Sequence, residues 1–200
     1  NHNDIGSYAV ALGKCTMVGD QGGPFSYPGD YFSAEAPEKY KIKGSFGHPV
    51  PVVDGKTQSS GAKASAIVLK KEFTDVKDLL CIDYTSAYST PSLDKLVRTF
   101  VYDRQGKGSF TVGDEFTANA PIRFETAITT QANWKIIDDT HLLLTTGTEQ
   151  MTVTIEASGK VAFTSETIEV NSPAYTRIGI SLKEQSKDGY IRLTMRTKQL

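Results

Sequence analysis

From residue 64 to the C-terminus, apolar and polar side chains alternate in short runs, and the period is that of a strand rather than a helix. The runs fall at 64–73, 79–88, 96–102, 109–116, 122–129, 134–137, 142–146, 150–156, 161–164, 168–170, 178–182 and 191–195. Turn-forming residues punctuate them, most clearly Ser158-Gly159-Lys160 and Lys187-Asp188-Gly189. No stretch carries a sustained helical period. Many short strands at regular spacing predict an all-β fold, a large antiparallel β-sandwich of two packed sheets with few or no helices. No repeat, low-complexity tract or linker interrupts this part, so residues 1–200 are expected to form a single β-sandwich domain.

The first sixty residues read differently. Residues 7–12 and 15–19 flank Gly13-Lys14, a pair suited to a type II′ hairpin turn. That register sets Ser7 opposite Asp20, and a bend at Gly6 is then needed to fold His2 back toward Asp20. Residues 21–47 are rich in Gly, Pro, Tyr and Ser, and include Tyr27, Tyr31 and Tyr40. A connection of this length and composition is expected to be functional. A short strand at 50–53 and a tight turn at Asp54-Gly55 follow.

Chemistry narrows to that region. His2 in His2-Asn3-Asp4-Ile5-Gly6-Ser7, Asp20 beside Gly19 and His48 beside Gly47 are residue types that hold one divalent metal. Zinc accepts imidazole nitrogen and carboxylate oxygen, and three protein ligands leave one coordination position free. Against this stands the commoner fate of a histidine, solvated or satisfied in a core. Asp4 is expected to accept hydrogen bonds in the bend before Gly6, or to orient a ligand imidazole from the second shell. His141, in the polar turn Asp138-Asp139-Thr140-His141, reads as structural or solvated. Each loop tyrosine either packs its loop or serves a sugar-binding or acid–base site. Arg98, within an apolar run, is expected to be a paired structural arginine.

Composition removes other classes. The 22 basic and 23 acidic residues nearly cancel, which offers nothing for nucleic acid. No apolar run is long enough to span a bilayer. There is no nucleophile elbow, phosphate loop or cysteine pair at zinc spacing. Cys15 and Cys81 are expected to be buried free thiols, with a disulfide between them left open. The chain opens directly into its densest motif, without Met or signal peptide, and is expected to be a piece of something longer.

These motifs carry a resemblance. His2-Asn3-Asp4-Ile5-Gly6-Ser7 resembles the His-Asn-Asp-x-Gly-Ser motif of heparinase II/III-like polysaccharide lyases, and Asp20-Gln21-Gly22 resembles the Asp-Pro-Gly element that follows it. Ser45-Phe46-Gly47-His48-Pro49-Val50 with Asp54-Gly55, and Arg98-Thr99-Phe100 with Asp103 and Gly106, are similar to later stretches of the family. Gln21 stands where a Pro is common, and Pro49 where an Asn usually follows the ligand histidine.

The resemblance implies the C-terminal β-sandwich domain of such a lyase, with residues 1–60 as the motif-bearing strands and loop at the cleft. It implies a structural zinc on His2, Asp20 and His48, and a catalytic role for Tyr31. It further implies β-elimination on an acidic, uronic-acid polysaccharide, heparin/heparan-like or alginate-like. The remaining catalytic groups would come from an upstream helical domain as partner, in a periplasmic or secreted bacterial enzyme. The competing expectation is a non-catalytic carbohydrate-binding β-sandwich module.

Overall fold

Alternation decides which face of each strand turns inward. In the last strand, Ser186–Thr197, Ile191, Leu193 and Met195 are buried while Arg192 and Arg196 face out. In Glu149–Ala157, Met151, Val153 and Ile155 do the same. The computed structural model describes residues 2–20, 23–169 and 173–198. Its strands are β1 (Val10–Leu12), β2 (Cys15–Val18), β3 (Val52–Val53), β4 (Ile67–Phe73), β5 (Lys77–Asp83), β6 (Leu93–Asp103), β7 (Ser109–Ile122), β8 (Phe124–Thr130), β9 (Asn133–Asp138), β10 (His141–Thr146), β11 (Glu149–Ala157), β12 (Val161–Ile168), β13 (Tyr175–Leu182) and β14 (Ser186–Thr197). One helix of four residues, α1 (Ala36–Lys39), lies in the long early loop.

The strands form the expected all-β sandwich. Eight pair in the order β4-β5-β6-β7-β14-β11-β10-β9 and four in the order β12-β13-β8-β3, antiparallel throughout, with β1 and β2 as a separate hairpin. One apolar cluster joins the two sheets. Leu96, Val112, Phe116, Val153 and Leu193 of the large sheet meet Phe124, Ile128, Ile178 and Ile180 of the small one. Phe116 and Phe124 stack across it with centroids 4.7 Å apart.

The small sheet is covered on its other face too. Ile178 and Ile180 point into the main cluster, so Tyr175, Arg177 and Gly179 point the opposite way. There Tyr175 packs with Tyr31, Ile42 and Ile168, and the Arg177 guanidinium lies 4.3 Å from the Phe46 ring centre. The loop between β2 and β3 therefore clothes the outer face of the small sheet.

The fold departs from the sequence expectation in several places. Lys187-Asp188-Gly189 is not a turn but lies within β14, at an irregularity in its pairing with β7. Gly189 is there for close packing, since a Cβ would come within 2.8 Å of Ser158 Oγ. The run 79–88 stops as a strand at Asp83, whose carboxylate accepts from Thr85 N (3.0 Å) and Thr85 Oγ1 (2.6 Å) and turns the chain into a 3-10 turn, Thr85–Ala87. The run 168–170 is no separate strand. Ile168 closes β12, and Val170 lies outside the described residues. Cys15 and Cys81 are free thiols as expected, but half-buried rather than buried.

At the centre of the sheets sits an ion pair. Arg98 of β6 and Asp114 of β7 are cross-strand partners, 0 % and 1 % exposed, joined Nε to Oδ1 and Nη2 to Oδ2, each at 2.7 Å. Removing one partner of such a pair costs about 3–5 kcal/mol, because the other charge stays buried.

Leu193→Ala, at a fully buried site, should lower stability by about 3 kcal/mol in urea unfolding. Phe73→Ala, on the exposed strand β4, should change it by less than about 0.5 kcal/mol.

Candidate functional site

Two backbone devices bring the first residues to the small sheet. The hairpin β1–β2 turns at Gly13-Lys14 with Gly13 at φ 58°, as a type II′ turn requires. Its second strand is then stitched to β8. Gly19 N donates to Thr129 O (2.9 Å), Thr129 Oγ1 donates back to Gly19 O, and Thr130 Oγ1 donates to Met17 O (2.6 Å). This fixes Asp20, whose Oδ2 accepts from Ser7 Oγ at 2.7 Å, although an irregularity between Val10 and Ala11 shifts the hairpin by one residue from the register expected.

The second device is the bend. Ser7 N donates to Asp4 O (2.9 Å), and Gly6, third in that turn, has φ 83°. This is a type II turn, which needs a residue tolerant of positive φ at that position. The chain before it folds back and is held by Gln58. Its Oε1 accepts from Ile5 N (2.9 Å) and its Nε2 donates to Ile5 O (2.8 Å), so one side chain pairs with Ile5 as a strand would. Asn3 N donates to Lys43 O at 3.1 Å.

His48 arrives from the other side, after the 3-10 turn Ser45–Gly47. Close packing fixes that turn, because a Cβ on Gly47 would lie 2.1 Å from Lys41 O and one on Gly44 2.1 Å from Pro37 O. Tyr175 Oη donates to Gly47 O (3.0 Å) from the sheet beneath.

The result is a cluster of four titratable groups. The rings of His2 and His48 have centroids 5.2 Å apart. His48 Nδ1 is hydrogen-bonded to Asp20 Oδ1 at 2.5 Å. One ligand atom from each of His2, Asp4 and His48 lies within 4.8 Å of the others. His48 is 0 % exposed, and its Nε2 has no hydrogen-bond partner among the described residues. His2 Nε2 lies 3.3 Å from Tyr31 Oη.

Electrostatics follow from the packing. Burial, then the neighbouring His48, lowers the His2 pKa from its ordinary 6.5, against the pull of Asp4 and Asp20. For Asp20, burial opposes the charge, but hydrogen bonds from His48 and Ser7 outweigh it and hold the carboxyl below its ordinary range. Burial raises the Tyr31 phenol, with Tyr27 adding to the effect, and raises Tyr175, with Asp20 and Tyr31 adding.

Of the residues singled out in the sequence, His2, Asp20, His48, Asp4 and Tyr31 all come together here. Asp4 stands closer to the histidines than the sequence suggests. Its carbonyl, not its carboxylate, makes the turn hydrogen bond. His141 is elsewhere, with Nδ1 2.9 Å from Asp138 Oδ1 in the turn between β9 and β10. Gln58, Tyr175 and Lys43 carry no signal in the sequence. Lys43, 3 % exposed, donates Nζ to Tyr31 O and sits 4.9 Å from the Tyr31 ring centre and 5.4 Å from that of Phe32. Around it Tyr27, Tyr31, Phe32 and Tyr40 pack ring to ring at 5.0–5.4 Å.

No family model and no curated protein matches this sequence. Solved structures do match the fold. A heparinase III aligns over 100 % of this chain and 30 % of its own, with TM-score 0.76 and 15 % identity. Heparan sulfate lyase HepC from Pedobacter heparinus aligns over 100 % of this chain and 31 % of its own, with TM-score 0.77 and 15 % identity. A heparinase III with methylated lysines gives 0.74 at 13 % identity, over 100 % of this chain and 30 % of its own.

The chain has a heparinase III-like β-sandwich fold. At these identities the likeness is one of fold, and this heparinase III-like chain spans about 30 % of the length of those structures. No helix among its described residues is long and apolar enough to cross a membrane.

The His2 imidazole should titrate below 6.5 in an NMR pH series. Asp4→Asn and Asp20→Asn should each lower the midpoint further, since both carboxylates favour the protonated ring. A folded pKa below the unfolded one means that protonation favours unfolding. The stability from this group is therefore complete above pH 6.5 and falls as pH drops toward the folded pKa.

Proposed function

We propose that this chain is the β-sandwich part of a polysaccharide lyase that cleaves a uronic-acid-containing polysaccharide by β-elimination, and that it supplies a zinc site and one wall of the cleft. The observation that carries this reading is the cluster of His2, His48, Asp20 and Asp4 around a buried imidazole whose Nε2 has no partner among the described residues, on a fold shared with heparinase III.

The donor set fits zinc, which takes imidazole and carboxylate ligands together. His2, Asp20 and His48 would hold the ion. Asp4 stands beside them to orient an imidazole. Bound there, zinc would supply rigidity rather than an activated water, since an elimination needs none.

The chain's own residues suggest the other roles. Tyr31, kept protonated by burial, suits donation of a hydrogen bond or proton toward a leaving oxygen rather than removal of one. The base and the groups that neutralise the uronate carboxylate would come from a helical domain upstream, in a periplasmic or secreted protein. The isolated chain is then inactive. A second reading, a carbohydrate-binding module, is favoured by one observation. Phe25, Tyr27 and Phe32 are 79 %, 57 % and 72 % exposed on the loop that bears Tyr31, and exposed aromatic clusters mark interaction surfaces.

Elemental analysis of the purified chain should find about one zinc per molecule, as one such site implies, retained in His141→Ala and lost in His2→Ala and His48→Ala. Zinc affinity should fall below about pH 6.5 as protons compete for the imidazoles. No unsaturated uronate should be released from heparan sulfate or alginate. Metal-free protein that binds neutral glycans would move the assignment to the binding module.

A further inference from the structure

The neutralisation of Asp114 accounts for only part of Arg98. Nε and one N–H of Nη2 hold the Asp114 carboxylate, and the second Nη2 N–H faces Thr126 Oγ1 at 3.3 Å. Nη1 makes no contact with Asp114. It donates instead to two main-chain carbonyls, Gly6 O at 2.6 Å and Pro49 O at 2.8 Å.

Those two carbonyls belong to the two segments that carry the histidines. Gly6 closes the turn that folds His2 back, and Pro49 directly follows His48. Neither residue lies in a strand, so neither carbonyl is engaged in a sheet ladder. The segments are 43 residues apart in sequence (49 − 6), and a single nitrogen ties them together. The grip is tight on the Gly6 side, where a Cβ would lie 3.4 Å from Arg98 Cδ.

We infer that Arg98 is the positioning residue of the metal site: by holding Gly6 O and Pro49 O at once, Nη1 sets the separation of His2 from His48. This rests on the zinc reading above. Arg98 touches neither the metal ligands' side chains nor substrate, and it acts only through the backbone. A lysine could neutralise Asp114, but its single ammonium lacks the planar fork that serves a carboxylate on one edge and two carbonyls on the other.

The test is zinc affinity of the purified chain, measured by competition with a chromophoric chelator at a temperature where circular dichroism shows every variant folded. Three proteins stand beside the wild type. Arg98→Lys keeps a charge opposite Asp114 and loses the grip. Arg98→Met combined with Asp114→Leu replaces the buried pair by apolar side chains, an exchange that is often neutral for stability, so it remains informative where Arg98→Lys does not fold. Leu193→Val lowers stability without removing any hydrogen-bond partner of Arg98. Zinc should bind at least about tenfold more weakly in both Arg98 variants and within about threefold of wild type in Leu193→Val, a tenfold change being about 1.4 kcal/mol. In the metal-free proteins the imidazole nitrogen NMR shifts of His2 and His48 should move in the Arg98 variants and stay in Leu193→Val. Arg98 variants that bind zinc as Leu193→Val does overturn the inference while leaving the zinc site standing. A wild type that takes up no zinc ends the zinc reading and this inference together.

Discussion

The two segments that carry the candidate site are arranged around one desolvated cation. Arg98 is fully buried, and burial alone would lower its pKa. The Asp114 carboxylate more than compensates and holds the guanidinium above its ordinary pKa. A buried guanidinium has five N–H groups, and each left unpaired would cost about 1–3 kcal/mol. All five are used: one on Asp114 Oδ1, one on Asp114 Oδ2, one on Thr126 Oγ1 and two on the carbonyls of Gly6 and Pro49. Asp114 is equally complete, since Oδ1 also accepts from Tyr84 Oη and Oδ2 from Thr126 Oγ1, both at 2.7 Å. Two sheets and two loops must be in place before this network closes. The apolar residues around it provide the driving force for collapse, and the network selects which collapsed arrangement is acceptable.

Why so much of the sandwich was legible follows from the same physics. Leu193, Val153 and Phe116 alternate with solvent-facing neighbours because a strand in a sandwich buries one face, and a period of two survives any detail of packing. The losses came where a side chain competes with the backbone. Asp83 ends β5 through its own carboxylate, a local event that hydrophobic pattern does not register. Gly189 was misplaced because glycine has two uses. In isolation Lys187-Asp188-Gly189 is a turn, but here the missing Cβ admits Ser158 and Phe116. Sequence cannot separate the two uses, since the second depends on which strand lies across the way.

The site was legible for a different reason. His2, Asp20 and His48 are unusual residues among glycines, and the Gly13-Lys14 turn with a bend at Gly6 gave a path that brings His2 back to Asp20. What stayed hidden is the support. Gln58 sits in an unremarkable polar string, yet it pairs with both amide groups of Ile5. Lys43 looks like a surface lysine, yet it lies under Tyr31 and Phe32. Arg98 reads as one half of a strand ion pair, and Asp114 does answer it, but the second edge of the guanidinium reaches residues that no local pattern connects to it.

His48 brings these strands together. A fully buried imidazole is an expensive way to donate one hydrogen bond to a carboxylate that a serine or an amide could serve as well. Leaving Nε2 without a partner among the described residues carries the desolvation penalty of a polar group, about 1–3 kcal/mol. The protein also invests two glycines without room for a Cβ, Gly44 and Gly47, and the Tyr175 hydroxyl in delivering that ring to its place. Such outlay at one buried residue is hard to account for by packing, since an apolar side chain would fill the volume at lower cost. It is the expected signature of a group kept for its lone pair. The His2 ring lies with its centroid 5.2 Å from that of His48, and Asp4 offers a carboxylate beside both.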